Sequence, residues 1–234
     1  MLTIRTPETG QIRPIYLTLV YDTDKALLID AGFPGQGEEI IAQINESPTS
    51  FEKVKQLVLT HQDLDHIGSA NELKKHQKLE ILAFRDEIKF IEGKVLPHKL
   101  AKFENYGTDV PADQRRKFEA LKAGFSRAYV DVNTPLDDGQ MLDFGLTAIH
   151  TPGHTDGHIC LYHESSQTLI AADLFFIEDG KLTLPSHELN VNCLDVKKSL
   201  DRLKDLSIKQ VVTYHGGLFT GDVQQEIERL QKKA

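Results

Sequence analysis

A chain of 234 residues is long enough to bury a sizeable core, as one large domain or two small ones. Its formal net charge of −8 argues against a nucleic-acid partner, and no apolar run reaches the length of a membrane span. Cys160 and Cys193 form no CxxC pair, and Met1 to Pro7 lack the charged-then-apolar pattern of a signal peptide, so a cytoplasmic protein with free thiols is expected.

Alternation over Ile12 to Tyr21 predicts a strand, with Lys25 to Asp30 as its antiparallel partner across the Asp22-Thr23-Asp24 turn. Asp30 stands at the end of an apolar strand, just before a glycine turn. It either accepts a hydrogen bond from a metal-bound histidine or bonds its own backbone as a turn residue. Glu38 to Ile44 has helical spacing, and Val54 to Leu59 reads as a strand with a buried end. Thr60-His61-Gln62-Asp63-Leu64-Asp65-His66 follows, and a short helix is predicted from Ile67 to about His76 through Ile67, Ala70 and Leu73.

This turn places four metal-capable side chains, His61, Asp63, Asp65 and His66, within six residues directly after an apolar strand. In extended backbone, positions i and i+2 point the same way, so His61 and Asp63 can converge on one point. Asp65 and His66, entering the helix, turn aside towards a second point. Imidazole nitrogen and carboxylate oxygen together suit zinc, iron or manganese.

Leu79 to Phe84 is a further strand. From Arg85 to about Arg127, charged and apolar residues mix at helical spacing, broken by Gly93, Pro97, Gly107 and Pro111, which predicts a set of short helices inserted between strands. His98, Phe103 and Tyr106 either line a substrate pocket there or pack the insertion onto the body; taken singly, packing is the favoured reading for each. Strands are predicted at Tyr129 to Val132 and at Met141 to His150. In Thr151-Pro152-Gly153-His154-Thr155-Asp156-Gly157-His158, Pro-Gly enforces a turn that carries His154 as a ligand. Gly157 and the apolar run after it argue against a helix, which leaves His158 in support behind the ligands. His150 and His163 read as ordinary strand histidines. Thr168 to Ala172 is a strand ending in Asp173, Leu194 to Leu206 an amphipathic helix, Gln210 to Tyr214 a strand ending in His215, and Asp222 to Leu230 a closing helix. No repeat or linker divides the chain, so residues 1–234 are expected to form a single domain with a helical insertion at about 85–127.

Ligand-type residues thus lie at several strand ends. Together with Leu28-Ile29-Asp30-Ala31-Gly32, Ala171-Ala172-Asp173 and Tyr214-His215-Gly216, the Thr60–His66 and Thr151–His158 stretches resemble the metallo-β-lactamase superfamily, which includes glyoxalase II and the acyl-homoserine lactonases. The resemblance implies an α/β (α+β) fold, an αββα sandwich of two mixed sheets flanked by helices, with two divalent metal ions at one edge. By position, His61, Asp63 and His154 would hold one metal, Asp65, His66 and His215 the other, and Asp173 would bridge them. The family usually has His at the position of Asp63. The shorter, anionic Asp hardens that half of the site and shifts preference from zinc towards iron or manganese, with zinc still the first expectation.

The resemblance also implies a binuclear metallo-hydrolase. Two cations sharing a water lower its pKa to roughly 7, and the resulting hydroxide attacks a small ester-like bond, a thioester or a lactone. Asp65 would orient that hydroxide or accept its proton. The alternatives are an iron-dependent redox enzyme of the same fold, a sulfur dioxygenase or di-iron oxygen reductase, and a small-molecule phosphodiesterase. A small-molecule substrate is expected, without nucleic acid or membrane.

Overall fold

The computed structural model describes residues 1–4, 14–104 and 111–232. Its first sheet opens with antiparallel pairing: β1 (Leu2–Ile4) lies beside β2 (Ile15–Tyr21), and β2 beside β3 (Ala26–Ile29). Helix α1 (Gly37–Glu46) then crosses to β4 (Val54–Leu59), which runs parallel to β3. Two short helices, α2 (Leu64–Ile67) and α3 (Ala70–His76), lead to β5 (Glu80–Phe84), parallel to β4. Helices α4 (Ile88–Ile91), α5 (His98–Glu104) and α6 (Ala112–Ala128) precede β6 (Thr134–Leu136), which closes the six-stranded sheet on its parallel edge.

The second sheet begins with β7 (Leu146–His150), β8 (Ile159–His163) and β9 (Thr168–Ala172), β8 running antiparallel to both of its neighbours. A separate hairpin, β10 (Phe176–Glu178) with β11 (Lys181–Thr183), comes next. After α7 (Cys193–Leu203), β12 (Gln210–Thr213) enters parallel to β9, and β13 (Gly217–Phe219) covers its other edge before α8 (Val223–Gln231).

Strand periodicity assigns the faces. Leu27 and Ile29 of β3, Val58 of β4 and Leu82 and Phe84 of β5 point inward. They meet Ala148, Ile159, Leu161, Ile170 and Val212 of the second sheet. Their neighbours Leu28, Leu57, Leu59 and Ile81 point the other way, onto Ile40, Ile44, Leu73 and Phe125 of the helices. On the opposite side, Cys160, Leu169, Ala171 and Val211 pack against Val196, Leu200 and Leu203 of α7 and Ile227 and Leu230 of α8. Helix, sheet, sheet and helix therefore stack in four layers, the expected αββα sandwich. Cys160 and Cys193 are free, and burial pushes the Cys160 thiol up to about 12. Among the described residues no helix is long and apolar enough to cross a membrane.

Three elements differ from expectation. The helix predicted from Ile67 begins at Leu64 and breaks at Gly68-Ser69, so Asp65 and His66 lie on a turn of their own. The break follows from close packing: a Cβ on Gly68 would come within 2.4 Å of the Gly32 carbonyl oxygen. Tyr129 to Val132 is not a strand, because Val130 donates its N–H to Ile91 O of α4 instead of to the sheet. The edge position passes to Thr134–Leu136, where Pro135 is tolerated. Only Leu146–His150 of the long Met141–His150 run is strand, since Asp143–Gly145 coils through Phe144 at φ +61°.

Candidate metal centre

The parallel pairs β3–β4 and β9–β12 bring four strand ends to one edge of the sandwich. Asp30 follows β3, Thr60 to Asp63 follow β4, Asp173 follows β9, and Tyr214 and His215 follow β12. His154 lies on the turn between β7 and β8. Asp30 (φ +64°) and Ala172 (φ +44°) take left-handed backbone, which costs a non-glycine residue about 1–3 kcal/mol and turns the chain sharply at the site.

The seven expected ligands form two groups: His61, Asp63, His154 and Asp173, and Asp65, His66 and His215. Within each group the candidate ligand atoms all lie within 4.8 Å of one another. Asp63 Oδ2 is 2.9 Å from His154 Nε2 and 3.4 Å from His61 Nε2. Asp173 joins the groups, with Oδ1 3.2 Å from His66 Nε2, and Oδ2 3.4 Å from His215 Nε2 and 3.7 Å from His154 Nε2. Asp65 Oδ2 is 3.3 Å from His215 Nε2.

His61 Nε2, His66 Nε2 and Asp173 Oδ1 are buried and make no hydrogen bond. Orphaned buried polar atoms are rare in folded proteins, and three of them distributed over the two adjoining groups fit cation binding there. The donor set, imidazole nitrogen and carboxylate oxygen, suits a divalent transition metal. Charge agrees. Burial works to raise the Asp173 carboxyl, yet His215 and His66 hold it well below the usual range. Burial likewise works against the Asp65 carboxylate, but His66 and His215 bring it down to about 2. His66 is raised well above the ordinary imidazole value against its burial, by Asp173 and Asp30, and His215 rises to about 10 through Asp173 and Asp65. In this half of the cluster the ionised carboxylates thus favour a positive partner beside them. His61, by contrast, is lowered by burial and by His66, which keeps it neutral with a lone pair to offer.

The imidazoles are oriented from behind. His66 Nδ1 lies 2.8 Å from Asp30 Oδ2, while Asp30 also accepts from Thr60 N at 2.8 Å and from the Thr60 hydroxyl. Thr60 Oγ1 lies 3.1 Å from His61 Nδ1, and Asn190 Oδ1 lies 3.2 Å from His154 Nδ1. In each case the Nδ1 partner leaves Nε2 for the centre. His158 Nε2 accepts the Asp173 N–H at 3.3 Å, and its Nδ1 faces Thr151 Oγ1 at 2.9 Å, so this imidazole braces the backbone under Asp173. The Tyr214 ring packs 3.9 Å from His66, and its hydroxyl donates to Asp65 O.

Two residues from the helical segment complete the site, and sequence reading missed both. Glu87, fully buried, accepts Gln62 N and Gly157 N, each at 2.8 Å, and so ties the turn carrying His61 and Asp63 to the turn carrying His154. Burial pushes its carboxyl up to about 7. Lys99 places Nζ 2.5 Å from Asp63 Oδ2. A single acid or lysine on a charged helical stretch carries no pattern that separates it from a solvated one. Asn190 and Tyr214 were missed as well, since a lone loop asparagine and a tyrosine after an apolar strand carry no ligand-type signal, although Tyr214 directly precedes a ligand.

Of the residues considered for a pocket, His98 lies against the site loops, donating N–H to Gln62 Oε1 at 2.8 Å, with Nε2 3.1 Å from Asp156 Oδ2. Tyr106 lies outside the described residues, as does the side chain of Phe103. His150 stacks on Phe84 and His163 faces Ser166. A cavity of about 400 Å³ opens beside His215, lined by Tyr16 of β2 and by Phe176, Ile177, Glu178 and Asp179 of the β10–β11 hairpin.

Comparison with known proteins agrees with this geometry. The chain is 26% identical over 231 residues to the probable metallo-hydrolase YflN of Bacillus subtilis, covering 91% of this chain and 84% of that one. It is 28% identical over 208 residues to the hydroxyacylglutathione hydrolase GloC of Haemophilus influenzae, covering 87% and 86%. A metallo-beta-lactamase family protein of Thermus thermophilus superposes with a TM-score of 0.74 at 24% identity, over 99% of this chain and 77% of that one. The profile of the metallo-beta-lactamase superfamily matches residues 11–215, and the chain belongs to that superfamily.

Proposed function

We propose that this metallo-hydrolase cleaves a small ester-like bond, a thioester before a lactone, and uses two divalent metal ions, zinc first, to do so. The observation that carries the reading is the convergence of seven nitrogen and oxygen donors in two adjoining groups, three of them buried without a hydrogen bond. His61, Asp63 and His154 would hold one ion, Asp65, His66 and His215 the other, with Asp173 between them. When bound, the ions supply Lewis acidity and a water-derived nucleophile at neutral pH.

The chain's own residues do the rest. Asp30, Thr60 and Asn190 fix the imidazole tautomers, so that Nε2 faces inward at each histidine they support. Asp65 is the least buried carboxylate of the cluster and lies next to His215, which lines the cavity; it is placed to hold a proton released during attack. A small substrate fits the cavity beside His215. The thioester class is supported by the similarity to a hydroxyacylglutathione hydrolase. The acidic surface agrees with a small-molecule substrate rather than nucleic acid, and the composition with a cytoplasmic setting.

Metal analysis of protein purified without chelators or an immobilised-metal column tests this first. Uptake of about two zinc or manganese ions per chain at saturating supply is expected. Hydrolysis of acyl thioesters should be lost to chelator and restored by metal, and Asp173→Ala should abolish turnover and lower metal content. Iron with oxygen consumption would transfer the reading to redox chemistry. Protein that takes up no metal at any concentration would overturn it.

A further inference from the structure

Lys99 has no counterpart in the site inferred from the ligand motifs. Its ammonium touches Asp63 Oδ2, the same oxygen that approaches His154 Nε2 and His61 Nε2. Direct contact is confined to one of the two ligand groups: Asp65, His66 and His215 make no ion pair with a lysine or arginine among the described residues, although the Lys99 charge also acts at longer range on Asp65 and Asp173.

The placement is built into the fold. Helix α5 is fastened to the first group's surroundings at several points. His98 N donates to Gln62 Oε1, between His61 and Asp63, and His98 Nε2 lies 3.1 Å from Asp156, two residues past His154. Lys102 Nζ donates to Glu188 O at 2.9 Å, on the loop that supplies Asn190 to His154. Gln62 is itself held by Glu87, the residue directly before α4, so both covering helices are anchored to the same turn. The Lys99 side chain is only one-third exposed, so its charge faces Asp63 with limited screening by solvent.

A fixed positive charge on a ligand oxygen opposes a divalent ion most strongly at that oxygen and more weakly at the neighbouring group, which lies farther off. We propose that Lys99 serves as a resident cation of the His61–Asp63–His154 group, so that the two groups take metal unequally. The Asp65–His66–His215 group, with Asp173, fills first. The other fills only as the ammonium moves off Asp63. An aspartate at position 63 and a lysine at position 99 then act as a pair: the carboxylate that makes this group more negative is offset by the ammonium from α5. The proposal rests on the metal-binding reading above and concerns the order and affinity of loading.

The test is a titration of metal-free full-length protein with zinc and, separately, cobalt(II), followed by calorimetry and by competition with a chromophoric chelator. Wild-type protein should take its two equivalents in separate steps. Lys99→Met removes the charge at similar length and should tighten the second step by about tenfold or more while leaving the first within about threefold. Lys99→Arg keeps the charge and should retain the wild-type spacing of the steps. Circular dichroism of each metal-free variant establishes that it folds. Equal affinity for both equivalents in the wild type, or an unchanged second step in Lys99→Met, overturns the proposal. Absence of any metal uptake by the wild type would instead remove the metal-binding reading itself.

Discussion

Glu87→Gln is expected to flatten part of the pH dependence of stability. Glu87 is fully buried, and burial raises its carboxyl from 4.5 in the unfolded chain to about 7 in the fold. A raised carboxyl pKa means that the folded state binds the proton more tightly than the unfolded state. Below pH 4.5 both states are protonated and the group costs nothing. Between pH 4.5 and about 7 the unfolded chain has ionised while the fold resists, and stability falls by about 1.4 kcal/mol for each pH step of one. Above about 7 the accumulated loss, about 3 kcal/mol, is constant. Glutamine carries no such loss. Its amide must, however, present an NH2 to one of the two backbone N–H groups, of Gln62 or Gly157, that the carboxylate accepts, at a cost of about 1–3 kcal/mol at any pH. The variant should therefore be clearly less stable than wild type near pH 4.5 and close to it at pH 8. Urea unfolding of both proteins in chelator, from pH 4.5 to 8, measures the difference, and the shared histidine cluster cancels between them. Two stability curves that run parallel across this range would refute the reasoning.

Asp30→Ala should leave the fold in place and weaken metal binding by about 10–100-fold, because His66 Nδ1 and Thr60 lose their common acceptor; chelator competition measures it. Asp63→His should move metal preference towards zinc under equal supply of zinc, iron and manganese, and should bind more metal when combined with Lys99→Met, since the histidine leaves that ammonium unpaired. Phe125→Ala empties a fully buried site between α6 and the first sheet and should cost about 3–5 kcal/mol in chemical unfolding. Gly68→Ala should destabilise by about 1–3 kcal/mol or more, because its Cβ meets the backbone of Gly32 to Pro34 at 2.4 Å with no flexible side chain to give way.

What was legible in the sequence, and what was not, divides along a physical line. The strands β2, β4, β5, β8, β9 and β12 are apolar runs whose burial does not depend on detail elsewhere, and most of their bounds follow from composition. The candidate ligands stand at the ends of such runs, so finding the runs locates them. Asp30 carried a signal of the same kind, an acid after Leu27-Leu28-Ile29, although only its left-handed backbone and its contact with His66 separate support of a histidine from an ordinary turn. Failures came where one short apolar stretch had two partners to choose from. Val130 satisfied helix α4 instead of the sheet, and Gly68 split a helix to let two loops touch.

Glu87 and Lys99 were beyond reach for a different reason. Each acts across 25 to 70 residues of sequence, Glu87 on Gln62 and Gly157, and Lys99 on Asp63. Each sits among charged neighbours whose pattern is that of a solvated helix face. Ligand type and spacing therefore describe the donors at the centre, whereas the charge those donors experience is set by side chains from the covering helices. Aspartate in place of histidine at position 63 would, by itself, make its group more attractive to any dication. With Lys99 against the same oxygen, the net charge of that group is again close to what a neutral histidine would give, in a form that one substitution or one movement of α5 can change.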